Sequence, residues 1–391
     1  MTQVTGPEQQ PEAKGLVGQA GSWVDHRAAT GDLWRVFFDR KVPLGVGWLY
    51  TLGAASLFVF TLQTVTGIIL AMHYSPSPDH AHASIQFIMN DVPFGAVVRG
   101  LHHWGSSAMV VVVFAHMVAV FYLGAYKYPR EFTWMIGVGL LVITLAFGFT
   151  GYLLPWDEKA YWATVVGTAI PGTVPVVGEF ALRIMRGGSE LGALTLTRFY
   201  SMHIMLLPAS LAALVVVHLY LVIRLGVTVP PQLWEKFGGQ GRGATLRAIS
   251  EEDYEERYLS FKARGHHYWP DIVSEDIIAA AAVLVAIFGM MVAAGVPLEA
   301  PADPTNTSYV PRPEWYFMFL FQILKYFPGN LEWLGAGLLP PLGLLVLLFL
   351  PLIDRSPWRS PTRRPVGMAI GLLSLILLAY LTWAGYQGTG V

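Results

Sequence analysis

Seven apolar stretches, at about 46–74, 99–123, 133–153, 199–224, 272–296, 335–353 and 367–386, punctuate a chain whose intervening segments are polar. About 20 apolar residues rising 1.5 Å each cross the hydrocarbon of a bilayer as one helix, so the pattern predicts seven transmembrane helices. The fold expected is an all-α, polytopic membrane bundle. Residues 1–44 read as a polar, irregular tail. They lack the basic start, short apolar run and small-residue cleavage site of a secretory leader, so the first span is expected to direct insertion. Residues 227–270 read as a linker, with the run Gly238-Gly-Gln-Gly-Arg-Gly243 followed by a charged stretch from Ser250 to Lys262. No strand precedes that run and no Lys-Ser/Thr follows it, which argues against phosphate binding.

Composition strengthens the membrane reading, since 54% of the 391 residues are hydrophobic and only 13% charged. A formal net charge of −1 argues against a nucleic-acid partner. The chain has no cysteine, and so can form no disulfide, ligate no iron–sulfur cluster through thiolates and carry no thioether-linked haem. Charge distribution sets the orientation. Of the 25 Lys and Arg, 18 fall in 1–44, 124–132, 224–270 and 354–365, and the other 7 in 75–99, 154–198 and 296–334. The positive-inside rule then puts the N-terminus in the cytoplasm and the C-terminus outside.

Four histidines stand inside two of the spans, His102 and His116 in the second, His203 and His218 in the fourth. An imidazole in hydrocarbon needs a partner for its nitrogens, which makes intramembrane histidines functional candidates. Separations of 14 and 15 residues are close to four helical turns, so each pair shares one face with its members about 21 to 22 Å apart. That is too wide for one metal. Two such helices running the same way would face each other twice, giving bis-imidazole sites His102–His203 and His116–His218, suited to two b-type haems. Gly53 and Gly67 in the first span, and Gly137 and Gly151 in the third, repeat the 14-residue period. Glycine there lets a bulky planar group approach the backbone at two depths, although small residues in membrane helices also serve helix packing.

These residues carry a resemblance. The segments Arg99-Gly-Leu-His102, Gly151-Tyr-Leu-Leu-Pro-Trp156, Leu196-Thr-Arg-Phe-Tyr-Ser-Met-His203 and Pro313-Glu-Trp-Tyr316 resemble those of the cytochrome b subunit of quinol:cytochrome c reductases, over about residues 30–386. The 15-residue interval from His203 to His218 is similar to the plastid-type and related bacterial branch, as are the three C-terminal spans, here fused to the first half. The resemblance implies a tail 1–44, a four-helix dihaem bundle 45–226, a cytoplasmic linker 227–270 and a three-helix domain 271–391. It implies two non-covalent b-type haems, the outer one low in potential and the inner one high. The branch's extra covalent haem uses a cysteine where Thr51 stands, so none is expected in this chain.

The resemblance further implies a dimeric complex in the bacterial cell membrane with a Rieske iron–sulfur protein and a c-type cytochrome. Quinol would be oxidised at the outer face, and quinone reduced at the inner face. For the outer pocket the candidates are Glu314 as base, with Pro313, Trp315, Tyr316 and Tyr152, under short surface helices in 157–188. A solvated carboxylate in an interfacial aromatic belt is the bland alternative. For the inner quinone site Asp271 comes first, then Asp276, Arg224 and Lys41, all of which could equally be anchors at span ends. Arg99 and Arg198 are candidates for haem propionates. Two other classes stay open: a dihaem anchor subunit of another quinone-linked dehydrogenase, which needs no Pro-Glu-Trp-Tyr loop, and a transporter, which needs no haem.

Overall fold

The computed structural model describes residues 15–237 and 250–387. Within them, seven helices are long and apolar enough to cross a membrane: span 1 (Trp48–Ala71), span 2 (Gly95–Tyr122), span 3 (Glu131–Tyr152), span 4 (Ala193–Leu225), span 5 (Tyr268–Ala294), span 6 (Gly329–Leu348) and span 7 (Pro365–Gln387). Each coincides with an apolar stretch; spans 2 to 7 begin a few residues earlier than the stretch, while span 1 starts later and spans 1 and 6 end before it does. Span 1 packs on span 2 and span 3 on span 4, with spans 2 and 3 joining the pairs; span 5 lies against spans 1 and 2, and span 6 against span 3. One end of the bundle carries the Pro313–Tyr316 segment and is called the motif face. The other carries most of the basic residues and is called the basic face.

Span 4 is not a plain α-helix. Pro208 lacks an N–H and its ring displaces the carbonyl four residues earlier, and the chain accommodates it with a π-helical turn at Met202–Leu206. A π turn consumes about one residue more than an α turn. The 15 residues from His203 to His218 therefore cover about the same distance and phase as the 14 from His102 to His116 in the unbroken helix of span 2. The unequal spacings in the sequence become equal depths in the bundle.

Two short helices, Glu158–Gly172 and Gly178–Arg186, cover the motif face. The first is capped by Asp157, whose Oδ1 accepts from Ala160 N at 2.8 Å. Asp157 Oδ2 accepts from Glu299 N at 3.1 Å, and Glu158 N donates to Ala300 O at 3.0 Å. This surface helix is thereby tied to the long loop after span 5, beneath a core of Leu153, Trp156, Tyr161, Leu196 and Phe199.

The basic face differs from the irregular tail and plain linker that the sequence suggests. Residues 16–28 and 30–37 are helical, and the turn between them is held by Asp25, which accepts from Thr30 Oγ1 at 2.9 Å and is hydrogen-bonded by Gly31 N. Trp23, Trp34 and Phe37 are exposed on these helices, as suits a segment lying at a headgroup boundary. In 227–270, helices Pro231–Phe237 and Glu251–Ala263 bury Val229, Trp234, Tyr254, Tyr258 and Phe261 in a core of their own. The glycine run 238–243 lies outside the described residues.

This cap is bonded to the loop before span 7. Arg359 lies 4.6 Å from the Trp234 ring centre and 5.6 Å from that of Tyr254, and Glu235 Oε1 accepts from the backbone N of Arg359 and Ser360 at 3.1 and 2.8 Å. Buried Arg364 donates to Phe121 O and Tyr122 O at 3.0 Å each, closing the C-terminal carbonyls of span 2. Burial alone would raise the Asp354 carboxyl. Hydrogen bonds from Lys127 (2.8 Å) and Tyr126 outweigh it and hold the group below the usual carboxylate range.

Candidate functional site

The structure brings the four histidines together in the expected pairs. His102 and His203 have ring centres 6.3 Å apart with planes at 76°. Two imidazoles each about 2 Å from one metal would have centres separated by about 6 Å, the spacing seen here. Thr66 Oγ1 donates to Leu62 O at 2.7 Å and meets His102 Nδ1 at 2.9 Å. Thr150 Oγ1 donates to Ala146 O at 2.9 Å and meets His203 Nδ1 at 3.1 Å. With the hydroxyl protons so used, each contact is satisfied when Nδ1–H donates, and each Nε2 keeps a free lone pair for a metal. His116 and His218 lie at the other level, against Gly53 and Gly137, and His218 Nδ1 is buried.

Every glycine of the 14-residue series faces a different histidine. A Cβ added at Gly53 would lie 3.3 Å from His116 Cε1, at Gly67 3.2 Å from His102 Cε1, at Gly137 3.6 Å from His218 Cε1 and at Gly151 2.6 Å from His203 Cε1. The close approach is thus to the imidazole edges as well as to any planar group they hold. No group of three or more His, Asp or Glu side chains able to hold a metal ion exists among the described residues. His102 with His203, and His116 with His218, would be the residues to hold two b-type haems.

Two polar groups that no sequence pattern marks lie on the basic-face side of the His116–His218 level. Arg130 uses Nε on Gly226 O (2.9 Å) and Nη2 on Leu225 O and Val227 O (3.2 Å each), closing the C-terminus of span 4, while its buried Nη1 has no partner. Tyr50, one turn before Gly53, has a buried hydroxyl without a partner and interacts electrostatically with Arg130. A carboxylate such as a haem propionate would satisfy both. The predicted propionate arginines have other partners. Arg99 donates to Val296 O (3.2 Å) and Pro297 O (2.7 Å), and Arg198 to Ile184 O (2.6 Å).

At the motif face, Glu314, Trp315 and Tyr316 close over the ends of spans 2 and 3. Pro313 is buried. Tyr152, at the end of span 3, donates to Lys159 O (3.3 Å) and Arg312 O (3.2 Å), and Trp315 Nε1 to Ser107 Oγ (3.3 Å). The Tyr316 ring fits against Gly148, where a Cβ would come within 2.9 Å of its hydroxyl. Gly148 is about one turn from Gly151, so the motif packs next to the His102–His203 level. Lys159, which the sequence did not single out, gives Glu314 Oε1 an ion pair at 2.9 Å, the two side chains being 31% and 19% exposed. Its only advance signal is the charged run Asp157-Glu-Lys159 directly after Trp156.

The four candidates at the basic face separate. Lys41 lies in a two-residue strand paired with His267, and donates to Ala263 O at 3.0 Å. Asp271 Oδ2 lies 4.0 Å from His266 Nδ1, and Asp276 accepts from Tyr268 OH at 3.1 Å. These three cluster around the start of span 5. Arg224 is exposed on span 4 and bonds Tyr220 OH at 3.3 Å.

A membrane bundle with paired intramembrane histidines against glycines defines a haem-binding electron-transfer class, and comparison with known proteins gives the family. Residues 37–226 match the family model "Cytochrome b/b6/petB", and residues 301–390 match "Cytochrome b(C-terminal)/b6/petD". The chain is 36% identical over 351 residues to the cytochrome bc complex cytochrome b subunit of Chlorobaculum thiosulfatiphilum, covering 89% of this chain and 76% of that one. It is 41% identical over 223 residues to the menaquinol:cytochrome c reductase cytochrome b subunit of Geobacillus thermodenitrificans, which is matched over its whole length by 55% of this chain. A solved structure titled "Hyperthermophilic respiratory Complex III" superposes with a TM-score of 0.79 at 28% identity, covering 93% of this chain and 91% of that one. The chain belongs to the cytochrome b/b6 family, as a cytochrome b of a bc complex.

Proposed function

We propose that this chain is the dihaem core of a quinol:cytochrome c oxidoreductase, oxidising quinol at the motif face and serving a quinone site at the basic face. Electrons from quinol would divide between a Rieske iron–sulfur protein and the haem pair. By the positive-inside rule the motif face lies outside, so protons are released there and taken up from the cytoplasm. His102 with His203 and His116 with His218 would hold the two b-type haems, which supply one-electron transfer between the faces when bound. Thr66 and Thr150 orient the first pair of ligands. The motif loop excludes water and presents Glu314 as acceptor of a quinol proton, with Tyr152 alongside.

The observation that carries this reading is the packing of the Pro313–Tyr316 loop beside the His102–His203 level, with its carboxylate only 19% exposed. An isolated haem anchor has no need of a sheltered base there. Glu314→Gln keeps size and hydrogen bonding but removes the base. We expect the assembled complex to keep both haems and to oxidise quinol more slowly, with about 10²- to 10⁴-fold as the full range for such groups. Pre-steady-state haem reduction with the basic-face quinone site inhibited isolates the step. Wild-type rates across about pH 5 to 9 would refute the assignment.

A further inference from the structure

Lys159 reaches across to the motif loop, and its ammonium makes an ion pair with Glu314. It reaches the motif loop because Asp157 caps its helix and also grips Glu299 N, fixing that helix against the loop after span 5. Its Nζ lies 2.9 Å from Glu314 Oε1 and 5.6 Å from the centre of the Tyr152 ring, while its own backbone carbonyl accepts from Tyr152 OH. Lysine and tyrosine are therefore locked to each other at two points, and the carboxylate to the lysine.

We infer that Lys159 is a positioning residue for quinol oxidation, holding the Glu314 carboxylate beside Tyr152 through this ion pair. The inference rests on Glu314 being the proton acceptor. A proton arriving from quinol breaks a quinol O–H bond, forms a carboxyl O–H and neutralises the charge that Lys159 holds. Loading the base and loosening the pair are then one event. The pair thus sets the geometry in which Glu314 meets each quinol.

Other charged and titratable groups face this carboxylate. Arg312 precedes the motif, His103 comes from span 2, Tyr152 from span 3, Tyr316 from the motif and Tyr386 from span 7. Removing the Lys159 ammonium takes the hydrogen-bond donor from Glu314 Oε1 and leaves the carboxylate without the contact that fixes it beside Tyr152.

The test compares wild type, Lys159→Met, Lys159→Gln, Lys159→Arg and Glu314→Gln in the assembled membrane complex, measuring quinol-driven haem reduction over about pH 5 to 9 with the basic-face quinone site inhibited. We expect the two neutral variants to keep both haems and to slow haem reduction about fivefold, the upper end for losing a partly exposed ion pair. Lys159→Arg should restore the wild-type rate. Combining Lys159→Met with Glu314→Gln should slow the reaction no further than Glu314→Gln alone. Wild-type rates in both neutral variants, or equal slowing in Lys159→Arg, would overturn the inference while leaving Glu314 as base. If Glu314→Gln alone keeps wild-type rates, the base assignment falls and the role of Lys159 falls with it. Two variants of different shape guard against failed assembly, checked by the haem spectrum of each preparation.

Discussion

Replacing the four glycines one at a time by alanine should produce graded haem loss, ranked by how close the new methyl would come to a histidine. At Gly151 it would lie 2.6 Å from His203 Cε1, about an ångström inside ordinary contact. His203 has little freedom to withdraw, since its Nδ1 meets Thr150 Oγ1 at 3.1 Å and its ring lies edge-on to Phe147 at 5.3 Å and to His102 at 6.3 Å. Overpacking of this kind costs about 1–3 kcal/mol. Taking about 2 kcal/mol, charged to cofactor binding, gives a loss of roughly 30-fold in haem affinity. At Gly67 and Gly53 the distances are 3.2 and 3.3 Å, which small adjustments relieve, and at Gly137 the 3.6 Å is ordinary contact. Alanine favours a helix over glycine by about 1 kcal/mol, so backbone propensity opposes the expected effect and cannot produce it. Haem content per polypeptide, with potentiometric titration of the reduced-minus-oxidised spectrum, reads the outcome component by component. Gly151→Ala should deplete the component assigned to His102–His203 and spare the other. Equal haem loss from Gly137→Ala and Gly151→Ala, or the reverse order, would refute the steric reasoning.

Two more predictions concern the same pair of sites. Replacing His116 or His218 should abolish one spectral component, and replacing His102 or His203 the other; a shared loss between His116 and His203 variants would break the pairing. Arg130→Gln removes a positive charge from beside the expected propionate, and Tyr50→Phe removes a neighbouring hydroxyl. Each should lower the midpoint potential of the His116–His218 component, on the order of tens of millivolts for the arginine. Unchanged potentials would mean that those buried atoms serve another group.

Fold class and the matched spacing of the histidines can be read from the chain without its packing. Both depend on local periodicity: about 20 apolar residues make a span whatever packs around it, and a separation near four turns puts two histidines on one face. The same regularity revealed the glycines, and Tyr152 and Glu314 were legible because they stand at a span end and in a compact motif. How intervals of 14 and 15 residues come to match emerges only in the folded bundle, because Pro208 acts through a π turn that spacing alone does not reveal. Only the structure brought Lys159 to Glu314 across 155 positions and gave the segment after span 4 a core packed on Arg359. Such contacts depend on loops whose course is fixed by distant carbonyls and carboxylates, here Asp157 on Glu299 N and Glu235 on Ser360 N. No periodic pattern records them, since each is one side chain meeting one backbone group after the helices have packed.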